Sequence, residues 1–405
     1  MNKKYRIGLA SGILLLSIGG YLLFNKGIEN APPEPSNQEQ KEIATEPPNK
    51  IDEKEVKPTQ AKIKHVEPIK YMIKDKRFES APIAPSYISD TILAFEYDIS
   101  EAENVGTSAI AVMNRSEKKS FQVVYTAKKN KIINALVGVK NELFWVEYDR
   151  SVDEEWNWEV KSLHLKTNKV IRIEGGALLP DLEPPVLRMS GGIVTWIRKS
   201  VHNKVITSSA IAYDPSKKET KIIAETTLDE TMKKRDGIFM IIQRPIQGGM
   251  LIQQSTFNPK IEKNEGKSIQ VAFYPYDKSK APELMQEDAD RVIDFTANDK
   301  WFVWTTFGKL YAADRSTREI KHIIEGPDPE LTLDTPFIYN DLVYYRYSMY
   351  QIYCLDLVSG TVTEYSPDRL ITSKLFNSDG YLGFSYSGAR DTSGEYEMNV
   401  IKVDE

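Results

Sequence analysis

Apolar and polar residues alternate along most of this chain in short segments, and one pattern of turn and strand occurs seven times. In each copy a turn residue precedes an apolar segment, and the fifth residue after the turn residue is aromatic in six of the seven copies. Segments of this kind between turn residues are typical of β-strands. The pairs are Asp90 with Phe95, Lys140 with Trp145, Gly191 with Trp196, Gly248 with Gln253, Asp299 with Trp304, Asn340 with Tyr345, and Asp379 with Phe384.

Two further apolar segments follow the aromatic one in most copies, so each copy predicts a meander of four strands. The last and shortest segment is exemplified by residues 170–173 and 320–324. No convincing pattern of an amphipathic helix occurs after residue 69. The third segment tends to end in Asp or another polar residue, at Asn114, Lys166, Asp214, Asp277, Asp314, Asp356 and Asp404.

The spacing of the seven turn residues indicates how these units are arranged. Successive turn residues are 50, 51, 57, 51, 41 and 39 positions apart. A repeat of about 40 to 50 residues with four strands is typical of a propeller blade, which buries its faces by stacking on neighbouring blades in a ring. The sequence therefore predicts an all-β, seven-bladed β-propeller of four-stranded meanders over residues 69–405.

The seventh unit supplies only three strands, since its third strand is followed directly by Asp404 and Glu405. A strand-like segment, residues 69–74, precedes the first repeat and has no partner in its own unit. Pairing this segment with the last strand would complete the seventh blade and remove exposed sheet edges. We therefore expect the ring to close between the two ends of the propeller.

The end of the third strand carries a resemblance to a known family. In residues 352–362 an apolar strand leads to Asp356, and a Ser-Gly pair follows three residues later. Residues 310–317 and 211–216 are weaker copies of this pattern, which Asn114 and Lys166 interrupt in two other units. The pattern resembles that of TolB-like and WD-repeat-like bacterial propellers. The resemblance implies a propeller that works outside the cytoplasm in contacts between proteins, and it implies no catalytic residue.

The N-terminal region predicts a membrane anchor. Residues 7–24 contain no charged side chain and follow three basic residues. As a helix they would be about 27 Å long, which is enough to cross the hydrocarbon core of a bilayer. The positive-inside bias then puts residues 1–6 in the cytoplasm and the propeller outside. The sequence Ser17-Ile18-Gly19 leaves cleavage as a signal peptide, and hence secretion, as the alternative.

Residues 25–68 predict a linker between this anchor and the propeller. They combine many prolines with charged and amide side chains, and they contain no aromatic residue. Such a segment buries too little apolar surface to offset the loss of chain entropy on folding. We therefore expect a disordered spacer that ends where the first propeller strand begins.

Unequal loop lengths single out one end of the propeller as the candidate interaction surface. Connections from second to third strands and from fourth to first strands include long segments, whereas the other two kinds are short. The connection after the second strand of unit 2 contains Asp153, Glu154, Glu155, Trp156 and Trp158. Tryptophans inside an acidic rim favour a protein partner, since Trp is enriched at interface hot spots, or stacking on a sugar ring. The alternative is that both tryptophans pack against neighbouring blades.

Composition and spacing indicate neither a catalytic set nor a metal or cofactor site. The formal charge of −5 argues against nucleic-acid binding, which needs a basic surface. The four histidines fall in different parts of the chain, and the single cysteine excludes an intrachain disulfide. The leading hypothesis is a membrane-anchored propeller that binds a protein of the cell envelope or acts as a scaffold. The alternative is a hydrolase or lyase of envelope polysaccharide that uses carboxylates near the propeller axis.

Overall fold

The computed structural model describes residues 62–64, 67–74, 83–101, 104–118, 120–149, 156–178, 183–202, 205–229, 239–257, 267–287, 289–348, 351–365, 373–378, 380–386 and 395–403. The predicted cytoplasmic segment, the predicted membrane span and most of the predicted linker therefore lie outside the described residues. Within the described ranges, no helix has both the length and the apolar character needed to cross a membrane.

The described residues form seven sheets, which we number as blades 1 to 7 along the chain. Two strands come before the first blade, β1 (Lys62–Lys64) and β2 (Ile69–Lys74). Blade 1 then contains β3 (Tyr87–Ile88), β4 (Ile92–Glu101), β5 (Asn104–Asn114) and β6 (Gln122–Thr126). Blade 2 contains β7 (Lys131–Val139), β8 (Glu142–Asp149), β9 (Trp156–His164) and β10 (Lys169–Leu178). Blade 3 contains β11 (Arg188–Ser190), β12 (Ile193–His202), β13 (Val205–Asp214) and β14 (Glu219–Asp229).

The remaining four blades follow the same order. Blade 4 contains β15 (Phe239–Ile246), β16 (Gly249–Phe257), β17 (Lys267–Pro275) and β18 (Glu283–Gln286). Blade 5 contains β19 (Asp294–Ala297), β20 (Trp301–Thr305), β21 (Lys309–Asp314) and β22 (Ile320–Glu325). Blade 6 contains β23 (Leu333–Tyr339), β24 (Leu342–Tyr347), β25 (Gln351–Asp356) and β26 (Val362–Tyr365), and blade 7 contains β27 (Phe376–Ser378), β28 (Tyr381–Ser385) and β29 (Glu395–Lys402).

Each blade is an antiparallel meander, as the repeats predict. The first strands of neighbouring blades contact one another, for example β7 with β11, β11 with β15, and β15 with β19. These first strands are therefore the ones nearest to the axis of the ring. The seven-bladed, all-β fold expected from the repeats is confirmed.

Closure of the ring also agrees with the sequence. Strand β2 pairs with β29 in antiparallel register, from Ile69 opposite Val400 to Lys74 opposite Glu395, and becomes the fourth strand of blade 7. Strand β1 pairs in parallel with β26 and adds a fifth strand to blade 6. The predicted boundary of the linker at residue 68 is thus too late, because the backbone of residues 62–64 already forms ladder hydrogen bonds with a blade.

The repeated aromatic residues lie in the core between blades. Seven clusters of buried residues occur in the described structure, one at each contact between neighbouring blades, including the contact of blade 7 with blade 1. Trp145, for instance, is fully buried between blades 1 and 2, and Trp196 is fully buried between blades 2 and 3. The aromatic repeat therefore stabilises the stacking of neighbouring blades.

Blade 4 corrects one assignment in the repeat. The turn between β15 and β16 begins at Gln247, so the fifth residue is Ile252 and not Gln253. Ile252 is buried in the cluster between blades 3 and 4, and this is the side to which the other repeat aromatics point. Gln253 faces blade 5, where its Nε2 donates to the carbonyls of Ala289 and Val292, both at 3.1 Å. A shift of one residue along a strand moves each side chain to the opposite face of the sheet, which explains why Gln253 interrupted the predicted aromatic repeat.

The aspartate at the end of the third strand stabilises the turn that follows it. In blade 5 the Oδ1 atom of Asp314 accepts hydrogen bonds from the backbone N–H groups of Ser316 and Thr317, each at 2.9 Å. Hydrogen bonds from the Ser316 side chain and the Thr317 backbone lower the pKa of Asp314 to about 2. Asp356 accepts equivalent bonds from Val358 and Ser359 in blade 6. The residues that carry the family resemblance thus fix the hairpin turn.

Candidate functional site

The five predicted site residues fall at the start of β9 and in the connection before it. Asp153, Glu154 and Glu155 lie outside the described residues. Trp156 begins β9, where its backbone is paired with that of Leu178. Trp158 is only 2% exposed, and it belongs to the cluster between blades 2 and 3. Because side chains alternate along a strand, the exposed Asn157 presents its side chain to the opposite face.

A cavity of about 450 Å³ lies beside this connection, and we call it the blade-2 cavity. It is built from the start of β7, the end of β8, the start of β9 and the end of β10, which are the strand ends that meet the long connections. Its position therefore coincides with the end that loop lengths single out. The lining residues are Lys128, Lys131, Glu147, Asn157, Trp158, Glu159, Lys161, Arg172, Gly176 and Ala177.

The floor of the blade-2 cavity is a network of paired charges around Lys161. Its Nζ lies 2.7 Å from an oxygen of Glu147 and 3.0 Å from an oxygen of Glu159. Glu147 is 1% exposed and also accepts a hydrogen bond of 2.6 Å from the hydroxyl of Tyr125. Burial by itself lowers the pKa of Lys161, but the bonds to Glu147 and Glu159 outweigh burial and raise it. Lys161 therefore stays charged and cannot act as a base near neutral pH.

The mouth of the cavity carries charge that solvent reaches. Arg172 has 59% of its side chain exposed and lies 3.2 Å from Glu159 through Nε. Lys128 is exposed, whereas Lys131 forms an ion pair of 2.6 Å with Asp149. Four basic and two acidic side chains line the cavity, so its described part is net basic. Such a mouth can bind carboxylates of a partner through the guanidinium and ammonium groups.

Sequence reasoning did not single out Lys161, Glu147 or Arg172. The pattern that signals them is the alternation of polar residues 157, 159 and 161 with apolar residues 158 and 160 along β9. That alternation shows which side chains share a face, but it does not show that Tyr125 of the neighbouring blade meets the same face. The packing of blade 1 against blade 2 is needed for that.

A second unusual carboxyl lies between blades 1 and 2. Glu96, in β4, accepts a hydrogen bond of 2.9 Å from the backbone N–H of Leu136, next to a bulge in β7. Burial raises the pKa of Glu96 to about 7, and the nearby charge of Asp98 adds to the rise, whereas the bond from Leu136 opposes it. The ionised form of Glu96 is therefore unfavourable in the folded protein.

Glu96→Gln should stabilise the protein in a pH-dependent way. The Glu96 carboxyl has a pKa of about 7 in the folded state and of 4.5 ordinarily. As the pH rises from 4.5 to 7, this carboxyl ionises in the unfolded chain but stays protonated in the folded one, so the stability of the wild type falls over that range. At about 1.36 kcal/mol per pKa unit the loss is about 3 kcal/mol, and glutamine removes it. Urea unfolding at pH 5, 7 and 8.5 measures this. Glu319→Gln, an exposed control, should show no such trend; a variant less stable than wild type at pH 8.5 would contradict the prediction.

Two carboxylates near the axis form bidentate ion pairs with arginine side chains. Asp294, in β19, accepts two hydrogen bonds from Arg244 of β15, at 2.7 and 2.5 Å. Asp334, in β23, accepts two from Arg346 of β24, at 2.9 and 2.7 Å. Hydrolysis of a polysaccharide needs one carboxyl to give a proton and another to attack or to activate water. Carboxylates held by guanidinium groups fit neither role, so this geometry gives no support to the enzymatic alternative.

A cluster of side chains that could bind a metal ion would be another kind of candidate site in the described part of the chain. No group of three or more His, Cys, Asp or Glu side chains there is close enough to hold a metal ion. Cys354 is buried between blades 6 and 7, where it packs as a small apolar side chain.

Comparison with known proteins finds solved structures of similar fold but low sequence identity. No protein-family model matches the sequence, and no curated protein matches it. Among solved structures, the AfRom2 CNH domain is 10% identical with a TM-score of 0.47, over 82% of this chain and 99% of that chain. The Pyrococcus horikoshii acylaminoacyl peptidase is 12% identical with a TM-score of 0.47. A puromycin-hydrolysing peptidase of Mycobacterium tuberculosis is 8% identical with a TM-score of 0.49.

The two peptidases are matched over 77% of this chain and 50% of their own length. The present chain thus corresponds to about half of each peptidase. At such low identities and TM-scores, the likenesses carry no argument about activity. The assignment rests on the strand order, the seven interblade clusters and the closing strand β2: the chain forms a seven-bladed β-propeller.

Proposed function

We propose that this protein is a membrane-anchored propeller outside the cytoplasm that binds a protein partner of the cell envelope through the long-connection end of blade 2. The blade-2 cavity carries this proposal, because it combines an open, charged mouth with a floor whose charges are already paired. A paired floor is rigid, and a rigid base under exposed charged groups suits recognition of another protein. Propellers in general serve as scaffolds that present such surfaces.

The sequence supports the cellular location in this proposal. The uncharged segment 7–24 with its basic flank fits a single membrane span, and residues 25–61, which precede β1, are long enough to hold the propeller away from the lipid. The resemblance to TolB-like propellers points to the same side of the membrane. Partner binding would then take place on a body tethered near the membrane surface.

Charge reversal at the cavity mouth tests the binding surface. Lys128→Glu with Arg172→Glu changes two exposed side chains and leaves the paired Lys161 untouched, so the fold should be retained. We expect cross-linking and affinity capture of the tagged full chain in intact cells to lose about tenfold or more of one envelope protein, because charged interface contacts are worth about 2 kcal/mol or more. Lys217→Glu with Lys221→Glu in blade 3 is the matched control.

Two results would contradict this proposal. Equal capture by the cavity variant and the control variant would exclude the blade-2 cavity as the interface. Recovery of the full chain in the soluble fraction, or a mature N-terminus downstream of residue 19, would exclude the anchor and favour the secreted form. The two parts of the proposal are thus tested separately in the same cells.

A further inference from the structure

The first strands of blades 3 to 7 bring charged residues to the axis of the ring. Arg188 lies in β11, Arg244 in β15, Asp294 in β19 and Asp334 in β23. Lys374 lies two residues before β27, the first strand of blade 7. These positions are separated by 40 to 56 residues in the sequence, and only the ring brings them together.

Cross-strand pairing shows the direction of the Arg188 side chain. Arg188 is opposite Thr195 in the ladder of β11 and β12, and opposite residues share a face of the sheet. The Thr195 hydroxyl donates to Oε1 of Gln243 at 2.9 Å, so this face looks toward blade 4. Arg188 therefore points toward the inner strand that carries Arg244.

Positive charge exceeds negative charge in this group. Arg244 and Asp294 form one bidentate pair, and Arg346 and Asp334 form another. Both carboxylates are thereby used. Among the described residues, no hydrogen bond or ion pair involves the side chain of Arg188 or that of Lys374, which leaves two positive charges without an acidic partner.

The surroundings of these two side chains combine access to solvent with nearby positive charge. Arg188 and Lys374 both keep surface that water reaches. Nevertheless, burial and the charge of Arg244 lower the pKa of Arg188 to about 9, although the charge of Asp294 opposes the drop. Burial and the charges of Arg188 and Arg244 likewise lower the pKa of Lys374, against Asp294 and Asp334. The positive charges of this group thus oppose one another in the free protein, and partial burial strengthens that repulsion.

We propose that Arg188, Arg244 and Lys374 form a binding site for a small oxyanion with two negative charges on the propeller axis. Two unpaired cations match a dianion, and the planar guanidinium of Arg188 can donate two parallel hydrogen bonds to one oxyanion group. Arg244 adds charge while Asp294 holds it in place. Phosphate, sulfate and a dicarboxylate share this chemistry. The site is independent of the blade-2 cavity, which takes a protein partner in the proposal above.

Titration calorimetry of the full chain with phosphate, sulfate and malonate tests the site at pH 7 and constant ionic strength. We expect saturable binding of at least one dianion and a matching rise in melting temperature that sodium chloride does not give. Arg188→Gln and Lys374→Gln should each weaken binding about tenfold, the value of one charge-assisted hydrogen bond. Lys217→Gln, which removes a charge from an exposed turn, should bind as the wild type does.

The melting temperature of Arg188→Gln distinguishes loss of the anion site from misfolding of the variant. Because the charge of Arg188 is unfavourable in the free protein, this variant should melt at a higher temperature than wild type in anion-free buffer, and it should gain less from the dianion. Absence of saturable binding for all three dianions would overturn the proposal. Undiminished binding by either glutamine variant would overturn it as well. The result of the capture experiment does not bear on anion binding at the axis, since the cavity variant in that experiment changes only the blade-2 cavity.

Discussion

Ile73→Asp should destabilise the whole propeller, because Ile73 lies on the strand that closes the ring. In β2 it is fully buried, opposite Tyr396 of β29, and it belongs to the cluster that joins blade 7 to blade 1. Removing a buried Ile side chain costs about 2 to 5 kcal/mol, and a carboxylate in the same space adds the cost of an unpaired buried polar group. We expect a loss of about 4 kcal/mol or more, a large part of the total for a typical protein.

The matched control is Ile69→Asp, the same change in the same strand. Ile69 is 37% exposed, so its aspartate stays in water and should cost less than about 1 kcal/mol. Urea unfolding followed by tryptophan fluorescence measures both variants. If the two variants were equally stable, β2 would not contribute to closure. A cooperative transition that splits in two for Ile73→Asp would indicate that the ring has opened and that its blades unfold in parts.

The architecture could be predicted from the sequence because it is local and repeated. Each unit shows its own turn and its own strands, and the backbone at Lys140, Gly191, Gly248 and Asn340 adopts the positive φ angles that such tight turns require. Seven copies correct for one imperfect copy. The misplaced register in blade 4 shows the limit, since a Gln-Gly-Gly sequence offers two possible turn positions and a wrong choice exchanges the two faces of the strand.

The candidate sites could be predicted only in part. The end of blade 2 that loop lengths singled out also borders the cavity, but the cavity floor joins Tyr125 of blade 1 to Glu147 and Lys161 of blade 2. The axial group joins residues from five blades. Contacts between residues so far apart in sequence depend on how many blades there are and which of their strands face the axis. The spacing of residues within one repeat gives neither the number of blades nor the strands that face the axis.

Trp158 illustrates why residue type alone was insufficient. Tryptophan is common both at interfaces and in cores, and the sequence left both roles open. Burial between blades 2 and 3 puts its ring in the core, where Gly176 lets the neighbouring strand pass close to the indole, since a Cβ atom there would lie 3.2 Å from a ring carbon. Its neighbours along the strand, the exposed Asn157 and the partly exposed Glu159, are polar.

Arg346→Met tests the buried ion pair that joins the axial group to the rest of the ring. Arg346 is 5% exposed, donates two hydrogen bonds to Asp334, and donates a third of 2.5 Å to the carbonyl of Ser373 at the start of blade 7. Its removal leaves the Asp334 carboxylate buried without a counter-charge and the carbonyl without a donor. A broken buried pair typically costs about 3 to 5 kcal/mol, and we expect that loss in urea unfolding.

The double variant Arg346→Met with Asp334→Leu separates the pair from the packing around it. Since the cost of the single change comes mainly from the stranded carboxylate, the double variant should recover all but about 1 to 2 kcal/mol of the wild-type stability. Lys300→Met breaks the exposed pair with Asp341 and should cost less than about 1 kcal/mol. A double variant as unstable as Arg346→Met would show that the bond to Ser373, and hence the contact of blade 6 with blade 7, carries the stabilisation instead.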